Sequence, residues 1–177
     1  MSDGDYAFEF RSFDAALDAT RIPEITALLH AAYAPLAARG MHYVASHQDD
    51  ATTLQRLTRG RALLIENAAR EIIATVTLYP PAPQSTCTLY RESDVYVLGQ
   101  FAVHPHLQRA GLGARMMDWC IHETRALGGK RLALDTSEHA DHLIAWYEKL
   151  GFVFAQHTRW DAVNYRSVVM VKSLSAL

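Results

Sequence analysis

The stretch VYVLGQFAVHPHLQRAGLGARMM, residues 95–117, decides the fold because a strand, a glycine turn and a helix start follow one another in it. Its β-branched and apolar residues predict a strand over Val95–Val103, which His104 and Pro105 end. A helix is predicted over Leu112–Leu127, and two glycines spaced by one residue, Gly111 and Gly113, lie at its start. A helix N-terminus leaves backbone N–H groups unpaired and partly positive, so a glycine turn leading into one can surround a phosphate closely. The stretch therefore predicts a phosphate-binding loop.

Two common phosphate-binding motifs do not fit this loop. Asp135 follows Gly113 by 22 residues, near the spacing of the ribose-binding acid in a dinucleotide site. Met116, however, stands where the third glycine of that motif belongs, and the glycines lie several residues beyond the strand end at Val103. No Gly-Lys-Ser/Thr follows, which argues against a P-loop as well. The ligand is expected to be neither NAD nor the triphosphate of a Walker-type NTPase.

Hydrophobic periodicity predicts the other elements and places the glycine loop in a mixed α/β sheet. The stretch from Pro80 to Asp94 is the longest expected loop, and Asn67–Arg70 is expected to close a hairpin. In chain order, the remaining predictions are a strand Tyr6–Phe13, a helix Ile22–Tyr33, a loop or short irregular helix Ala34–Asp50, a short helix Ala51–Arg59, strands Arg61–Glu66, Glu71–Tyr79 and Lys130–Thr136, a helix Ala140–Leu150, and strands Phe152–Ala155 and Val168–Lys172.

Length and composition predict one domain over residues 1–177. Half of the 177 residues are apolar and a fifth are charged, which suffices for one substantial core. The net charge of -2 gives no global basic field, so neither nucleic acid nor a membrane surface is an expected partner. The first ten residues lack the pattern of a signal peptide. Cys87 and Cys120 are too few for a disulfide framework, so a cytoplasmic location is expected.

Three linked pieces between Val95 and Phe152 give the chain a family resemblance. They are a strand ending in AVHP at residues 102–105, the loop QRAGLG at 108–113, and AWYEKLGF at 145–152, one strand later. In this order and spacing, the chain resembles the GCN5-related N-acetyltransferase (GNAT) family. The resemblance implies the acyl-CoA N-acyltransferase fold, a mostly antiparallel central sheet with splayed middle strands and flanking helices. It also implies an N-acetyltransferase in which an amine attacks acetyl-CoA directly in a ternary complex.

The resemblance assigns acetyl-CoA, as cosubstrate, to the glycine loop and the strand before it. Strand backbone groups would pair with the amides of the pantetheine arm, and loop amides would hold the pyrophosphate. By position, the strand residues are Phe101, Ala102 and Val103, and the loop residues are Arg109, Ala110, Gly111, Leu112, Gly113 and Ala114. No metal is expected, since His104 and His106 have no acidic or thiol partner nearby in the sequence.

Two residues are the candidates for catalysis. Tyr147 matches the family's tyrosine near the acetyl-CoA sulfur, and a phenol with a pKa near 10 can protonate a leaving thiolate. Its position on an apolar helix face also suits a core aromatic. The acid that many members carry on the strand is missing at Leu98–Phe101. Asp135 matches the position of a glutamate that some members use, so the resemblance implies Asp135 as the general base, with Glu138 and His139 as weaker candidates. A turn-capping role for Asp135, or a partnership with Arg131 or His139, stays open.

The resemblance implies an acceptor pocket built from the first helices, their connecting loop and the late strands. This choice selects Tyr33, Met41, His42, Tyr43 and His47, and adds Trp160, Asn164 and Tyr165 as further candidates. The set is aromatic and lacks the dense acidic patch that a polycationic acceptor would need. A small amine, an amino acid or a peptide N-terminus is therefore the expected acceptor.

Three alternatives stay open from the sequence. One is a CoA- or acyl-CoA-binding sensor or regulatory module without turnover, which the missing strand carboxylate would suit. Another is an enzyme with a different acyl donor or an oxygen acceptor. A homodimer is an open alternative for the assembly.

Overall fold

A computed structural model describes residues 8–174 of the chain. Seven strands of these residues form one sheet in the order β1-β2-β3-β4-β5-β7-β6. Neighbouring strands pair antiparallel except β4 and β5, which pair parallel. In chain order the elements are β1 Glu9–Ser12, α1 Ile22–Ala38, α2 Asp50–Thr58, β2 Arg61–Glu66, β3 Ile72–Tyr79, β4 Val95–Val103, α3 Leu112–Ala126, β5 Arg131–Ser137, α4 Asp141–Lys149, β6 Val153–Arg159 and β7 Arg166–Ser173.

Helices cover both faces of the sheet. Successive side chains of β2 point to opposite faces, so Leu63 and Ile65 join one core cluster while Leu64 joins another. The cluster that holds Leu63 and Ile65 packs against α3 and α4, and the one that holds Leu64 packs against α1 and α2. The mixed α/β sheet expected from the sequence is confirmed.

β4 and β5 separate after a short paired region, which creates the opening that the rest of the site uses. They pair only over Val95–Val97 and Arg131–Ala133. At this joined end, Arg131 donates to both carboxylate oxygens of Asp94, at 2.8 and 2.7 Å. Farther along β4, Gln100 has φ +49° and the β3–β4 register shifts. Because a bulge bends its strand, β4 diverges from β5 at this point.

Two of the predicted elements were wrong in extent. The first helix does not end at Tyr33 but continues to Ala38, with Pro35 inside it. Pro35 removes one backbone N–H, yet the helix is held by packing of the buried Leu36 against Tyr43 and Tyr165. The strand predicted to end at Ala155 continues to Arg159, because pairing with β7 holds its polar second half in the sheet.

The other predicted elements agree with the structure to within one or two residues at most ends. The opening strand is shorter than predicted, and its first predicted residue, Tyr6, lies outside the described residues. In the segment predicted as a loop or short irregular helix, a single 3-10 turn forms at Val44–Ser46 after the end of α1.

Candidate active site

A cavity of about 1040 Å³ lies where β4 and β5 separate. The free part of β4 forms one wall, and the end of β5 and one side of α4 form the facing wall. α1, α2 and the segments around the short turn at Val44–Ser46 close a third side, together with the β6–β7 loop. The cavity therefore connects the start of α3 with side chains from both halves of the sheet.

The start of α3 borders this cavity in the conformation that an anion-binding loop needs. Gly111 precedes the helix with φ +75°, a left-handed conformation that favours glycine. The first-turn N–H groups of a helix have no partner within the helix. Gly113 lines the cavity, and a Cβ atom there would lie 3.5 Å from the Trp146 ring. Trp146 in turn packs edge-on against Phe101 of β4, with ring centroids 5.8 Å apart.

The residues predicted to bind acetyl-CoA lie together around this mouth of the cavity. Phe101, Ala102, Val103 and Gly113 line the cavity. Arg109, Ala110, Gly111 and Ala114 are exposed beside it, whereas the Leu112 side chain is buried in the core beneath α3. Their roles as cofactor contacts stay predictions.

Asp135 lines the cavity at the end of β5 and accepts two hydrogen bonds there. The Tyr90 hydroxyl donates to Oδ1 at 2.8 Å, and the Trp160 indole Nε1 donates to Oδ2 at 2.9 Å. Burial raises the pKa of Asp135 above its usual range, although both hydrogen bonds oppose the shift. The carboxylate is therefore held in place and is a stronger base than an exposed aspartate. Arg131 pairs with Glu92 and Asp94 instead of Asp135.

Tyr147 of α4 lines the same cavity with a largely buried ring. The ring packs against Trp146 and Phe152, with centroid separations of 5.1 and 5.9 Å. Burial raises the pKa of the Tyr147 hydroxyl above its usual value near 10. The hydroxyl is consequently protonated throughout the neutral range and can serve as a proton donor.

A network of side-chain amides lies at the part of β4 where many family members carry an acid. The buried Gln100 Oε1 accepts from Gln48 Nε2 at 2.8 Å, and Gln100 Nε2 donates to the Thr77 hydroxyl at 3.3 Å. Gln48 Nε2 also donates to Thr53 at 2.7 Å. This network contains no carboxylate, which leaves Asp135 as the carboxylate among the cavity-lining residues.

Of the acceptor candidates Tyr33, Met41, His42 and Tyr43, the first and the last line the cavity. The Tyr33 hydroxyl donates to the Phe101 carbonyl oxygen at 3.0 Å, and the Tyr43 hydroxyl lies 2.7 Å from Thr136 Oγ1. Met41 packs instead in a core cluster, and the exposed His42 donates its backbone N–H to Asn164. Neither of these two is among the lining residues.

The other four acceptor candidates divide in the same way. Trp160 and Tyr165 line the cavity, whereas the exposed His47 and Asn164 do not. Sequence reasoning missed Tyr90, which holds Asp135, as well as Tyr79, Arg39, Arg56 and Arg59, which line the cavity. The aromatic character of Tyr79 at the end of a strand gave no indication of a site. The arginines have the pattern of ordinary solvated helix residues.

Comparison with known proteins identifies the class. The acetyltransferase (GNAT) family model matches residues 23–152, so the chain belongs to this family. The S-(2-succino)cysteine N-acetyltransferase of Bacillus subtilis (strain 168) is 29% identical over 139 residues, which cover 77% of this chain and 79% of that protein.

Solved structures of the family share the fold. An acetyltransferase of the GNAT family from Staphylococcus aureus Mu50 has a TM-score of 0.70 at 14% identity, covering 96% of this chain and 100% of that one. A GNAT family acetyltransferase from Elizabethkingia anophelis, solved with acetyl-CoA bound, has a TM-score of 0.65 at 17% identity, covering 94% and 98% of the two chains.

No helix within residues 8–174 has both the length and the apolar character needed to cross a membrane. Over the same range, no three or more His, Cys, Asp or Glu side chains cluster in a way that could hold a metal ion.

Proposed function

We propose that this protein is an acetyl-CoA-dependent N-acetyltransferase that acetylates the amine of a small molecule or peptide by direct attack in a ternary complex. The observation that carries the proposal is the single cavity shared by the β4–β5 opening, the start of α3, Asp135 and Tyr147. An acetyl donor bound at the β4–β5 opening and the start of α3 would meet an amine bound beside Asp135 in this cavity.

The donor side fits acetyl-CoA through backbone groups. The free edge of β4 after Val97 offers peptide groups to a pantetheine arm, and the exposed turn at Gly111 offers helix-terminal N–H groups to a pyrophosphate. Arg109 adds a cation beside this turn. When bound, acetyl-CoA supplies an acetyl group activated as a thioester.

The acceptor amine needs a base, because a primary ammonium with a pKa near 10 is mostly protonated at neutral pH. Asp135, with a pKa raised by burial, takes this proton directly or through a water molecule. The hydrogen bonds from Tyr90 and Trp160, one to each oxygen, hold this carboxylate in a fixed orientation. The amine nitrogen then forms the amide bond to the acetyl carbon as the carbon–sulfur bond breaks, and the nitrogen gives up its second proton to water. The ammonium and the thioester thus yield the amide, the CoA thiol and one released proton.

The leaving thiolate needs a proton, and the Tyr147 hydroxyl holds one. A buried phenol keeps that proton at neutral pH and can give it to sulfur as charge develops there. Tyr147 regains a proton from solvent in the next cycle. Asp135 and Tyr147 thus act on opposite ends of the reaction.

Direct attack is favoured over a covalent acetyl-cysteine route. Cys87 and Cys120 are both buried, and neither lines the cavity. Burial raises the pKa of both thiols above their usual values. Because the thiolate is the nucleophilic form of cysteine, neither residue is suited to carry the acetyl group.

The test is an assay of free CoA thiol with acetyl-CoA and a panel of small amines, amino acids and short peptides, with mass spectrometry of the products. We expect amine-dependent thiol release and a product heavier by one acetyl group. Binding of CoA without release for any amine would contradict the proposal and favour the sensor or regulatory alternative.

A further inference from the structure

The charges along the cavity wall point to the chemistry of the acceptor. The cavity-lining residues include three arginines, Arg39, Arg56 and Arg59, and a single carboxylate, Asp135. Among residues 8–174, no carboxylate forms an ion pair with any of the three. Six arginines elsewhere do form such pairs: Arg11, Arg21, Arg61, Arg70, Arg131 and Arg166.

Two of the unpaired arginines belong to one end of α2. Arg56 and Arg59 are three residues apart, so their side chains lie on neighbouring positions of the helix surface. The following Gly60 lies against β3, where a Cβ atom would be 2.2 Å from the Leu78 carbonyl oxygen. This close approach places the C-terminal end of α2 beside the C-terminal end of β3. The Arg59 guanidinium accordingly lies 5.6 Å from the ring centroid of Tyr79.

Arg56 is held in a defined position by the neutral amide network. Its Nη1 donates to Gln48 Oε1 at 2.6 Å. The Gln48 amide nitrogen is itself fixed by donation to Thr53 and Gln100, at 2.7 and 2.8 Å. A guanidinium has five N–H donors, so this one contact leaves Arg56 with donors for a ligand.

Tyr79 supplies an independent observation at the same place. Its ring packs over Gly99, where a Cβ atom would lie 2.7 Å from the tyrosine Cε2. Its hydroxyl is buried and has no hydrogen-bond partner among residues 8–174. Buried polar groups in proteins are almost always paired. Because Tyr79 lines the cavity and its ring lies beneath the Arg59 guanidinium, the unpaired hydroxyl offers a hydrogen-bond donor to a ligand that binds at this wall.

We propose that Arg56, Arg59 and Tyr79 form a carboxylate-binding subsite, so that the acceptor is an amine that also bears a carboxylate, as an amino acid does. The inference rests on the proposed function, because it concerns the acceptor side of the same cavity. Guanidinium groups bind carboxylates through paired, charge-assisted hydrogen bonds, and a phenol adds a third donor. Together with Arg39, the two arginines of this subsite would repel a polyamine.

The first test compares free amino acids with their carboxamides as acceptors. We expect the wild-type kcat/KM to favour the free acid by about 10- to 100-fold, the factor typical of a hydrogen bond to a charged group. Arg56→Gln and Arg59→Gln should remove most of that preference, and Arg56→Lys should keep part of it. Tyr79→Phe should lower it without loss of thermal stability. A wild-type preference for the amides or for polyamines would overturn the proposal.

A second test is independent of turnover. Thermal shift is measured with succinate and with its uncharged analogue succinamide, at constant ionic strength and with CoA present. We expect succinate to raise the unfolding midpoint of the wild type and of Arg61→Gln, a matched control whose side chain pairs with Glu123 outside the cavity.

The two tests separate the subsite from the reaction. A succinate shift that is lost in Arg56→Gln and Arg59→Gln supports the subsite even if no amine is acetylated, in which case only the proposed function fails. Equal shifts in the wild type and both variants, or no succinate shift in the wild type, would contradict the subsite even if some amine is acetylated.

Discussion

Replacing Tyr147 by phenylalanine removes one oxygen from the cavity wall and leaves the ring in place. The ring is 8% exposed and keeps its contacts with Trp146 and Phe152. The Tyr147 hydroxyl has no hydrogen-bond partner among residues 8–174, so no buried partner is stranded by its loss. We therefore expect the free energy of unfolding to change by less than about 1 kcal/mol.

The catalytic effect of the same change should be far larger. A positioned general acid typically contributes about 10²- to 10⁴-fold to the rate, so kcat should fall by at least about 100-fold, or roughly 2.7 kcal/mol of barrier. The KM for acetyl-CoA should stay close to the wild-type value. The assay is steady-state thiol release at saturating acetyl-CoA, with thermal unfolding of the same preparation.

Tyr96→Phe is the matched control, since Tyr96 lies on β4 outside the cavity and its hydroxyl donates to the Leu127 carbonyl oxygen at 3.4 Å. Its kcat should equal that of the wild type. A Tyr147→Phe variant with unchanged kcat would refute the role of this hydroxyl as the proton donor. So would a loss of activity that merely followed a loss of folded protein.

The contributions of Asp135 and Glu66 to the free energy of unfolding should depend on pH in opposite directions. Because burial raises the pKa of Asp135, its contribution to stability is present below about pH 4 and is lost as pH rises through its folded pKa. For the same reason, the acid limb of the kcat/KM profile should lie above about pH 4. Asp135→Asn should lower kcat/KM by about 100-fold or more. Glu66 is fully buried, yet hydrogen bonds from Arg11 and Arg21 outweigh that burial and lower its pKa. Its stabilisation should be present above about pH 4 and lost as pH falls, and Glu66→Gln should destabilise by about 1–3 kcal/mol at pH 7 without changing kcat. Urea unfolding midpoints between pH 3 and 7 check both signs, and parallel curves for the wild type and either variant would contradict the assignment for that residue.

The bounds of the strand and the helix beside the glycine loop could be predicted from local sequence. β4 has the predicted bounds Val95–Val103, and α3 begins at the predicted Leu112. Both elements are buried on their core sides and are bounded by Gly or Pro, so local pattern and tertiary packing agree. The opposite holds at Pro35, where packing of Leu36 keeps a helix that the local pattern would end.

The environment of Asp135 could not be read from the sequence. Its partners Tyr90 and Trp160 are 45 and 25 residues away in the chain. They meet it only because the loop after β3 and the β6–β7 loop converge on the end of β5. A sequence pattern gives the identity of such a residue but not its distant contacts.

The α2 arginines were missed for a related reason. Arg56 and Arg59 occur in a short helix whose apolar residues are few, and arginine on such a helix usually faces solvent. Only the close approach at Gly60 and the position of Gln48 turn them toward the cavity. The glycine turn and the start of α3 beside the cavity could therefore be predicted, whereas the position of these arginines in the cavity wall depends on the tertiary structure.

Ligand-induced stabilisation tests the central claim most directly, that the β4–β5 opening and the start of α3 bind acetyl-CoA. Acetyl-CoA, CoA and NAD are each titrated while the free energy of unfolding is measured. Acetyl-CoA and CoA should each stabilise the protein by about 2.7 kcal/mol at about 100 times their Kd, and NAD should have no effect. No stabilisation by either CoA form, or an equal effect of NAD, would contradict the account.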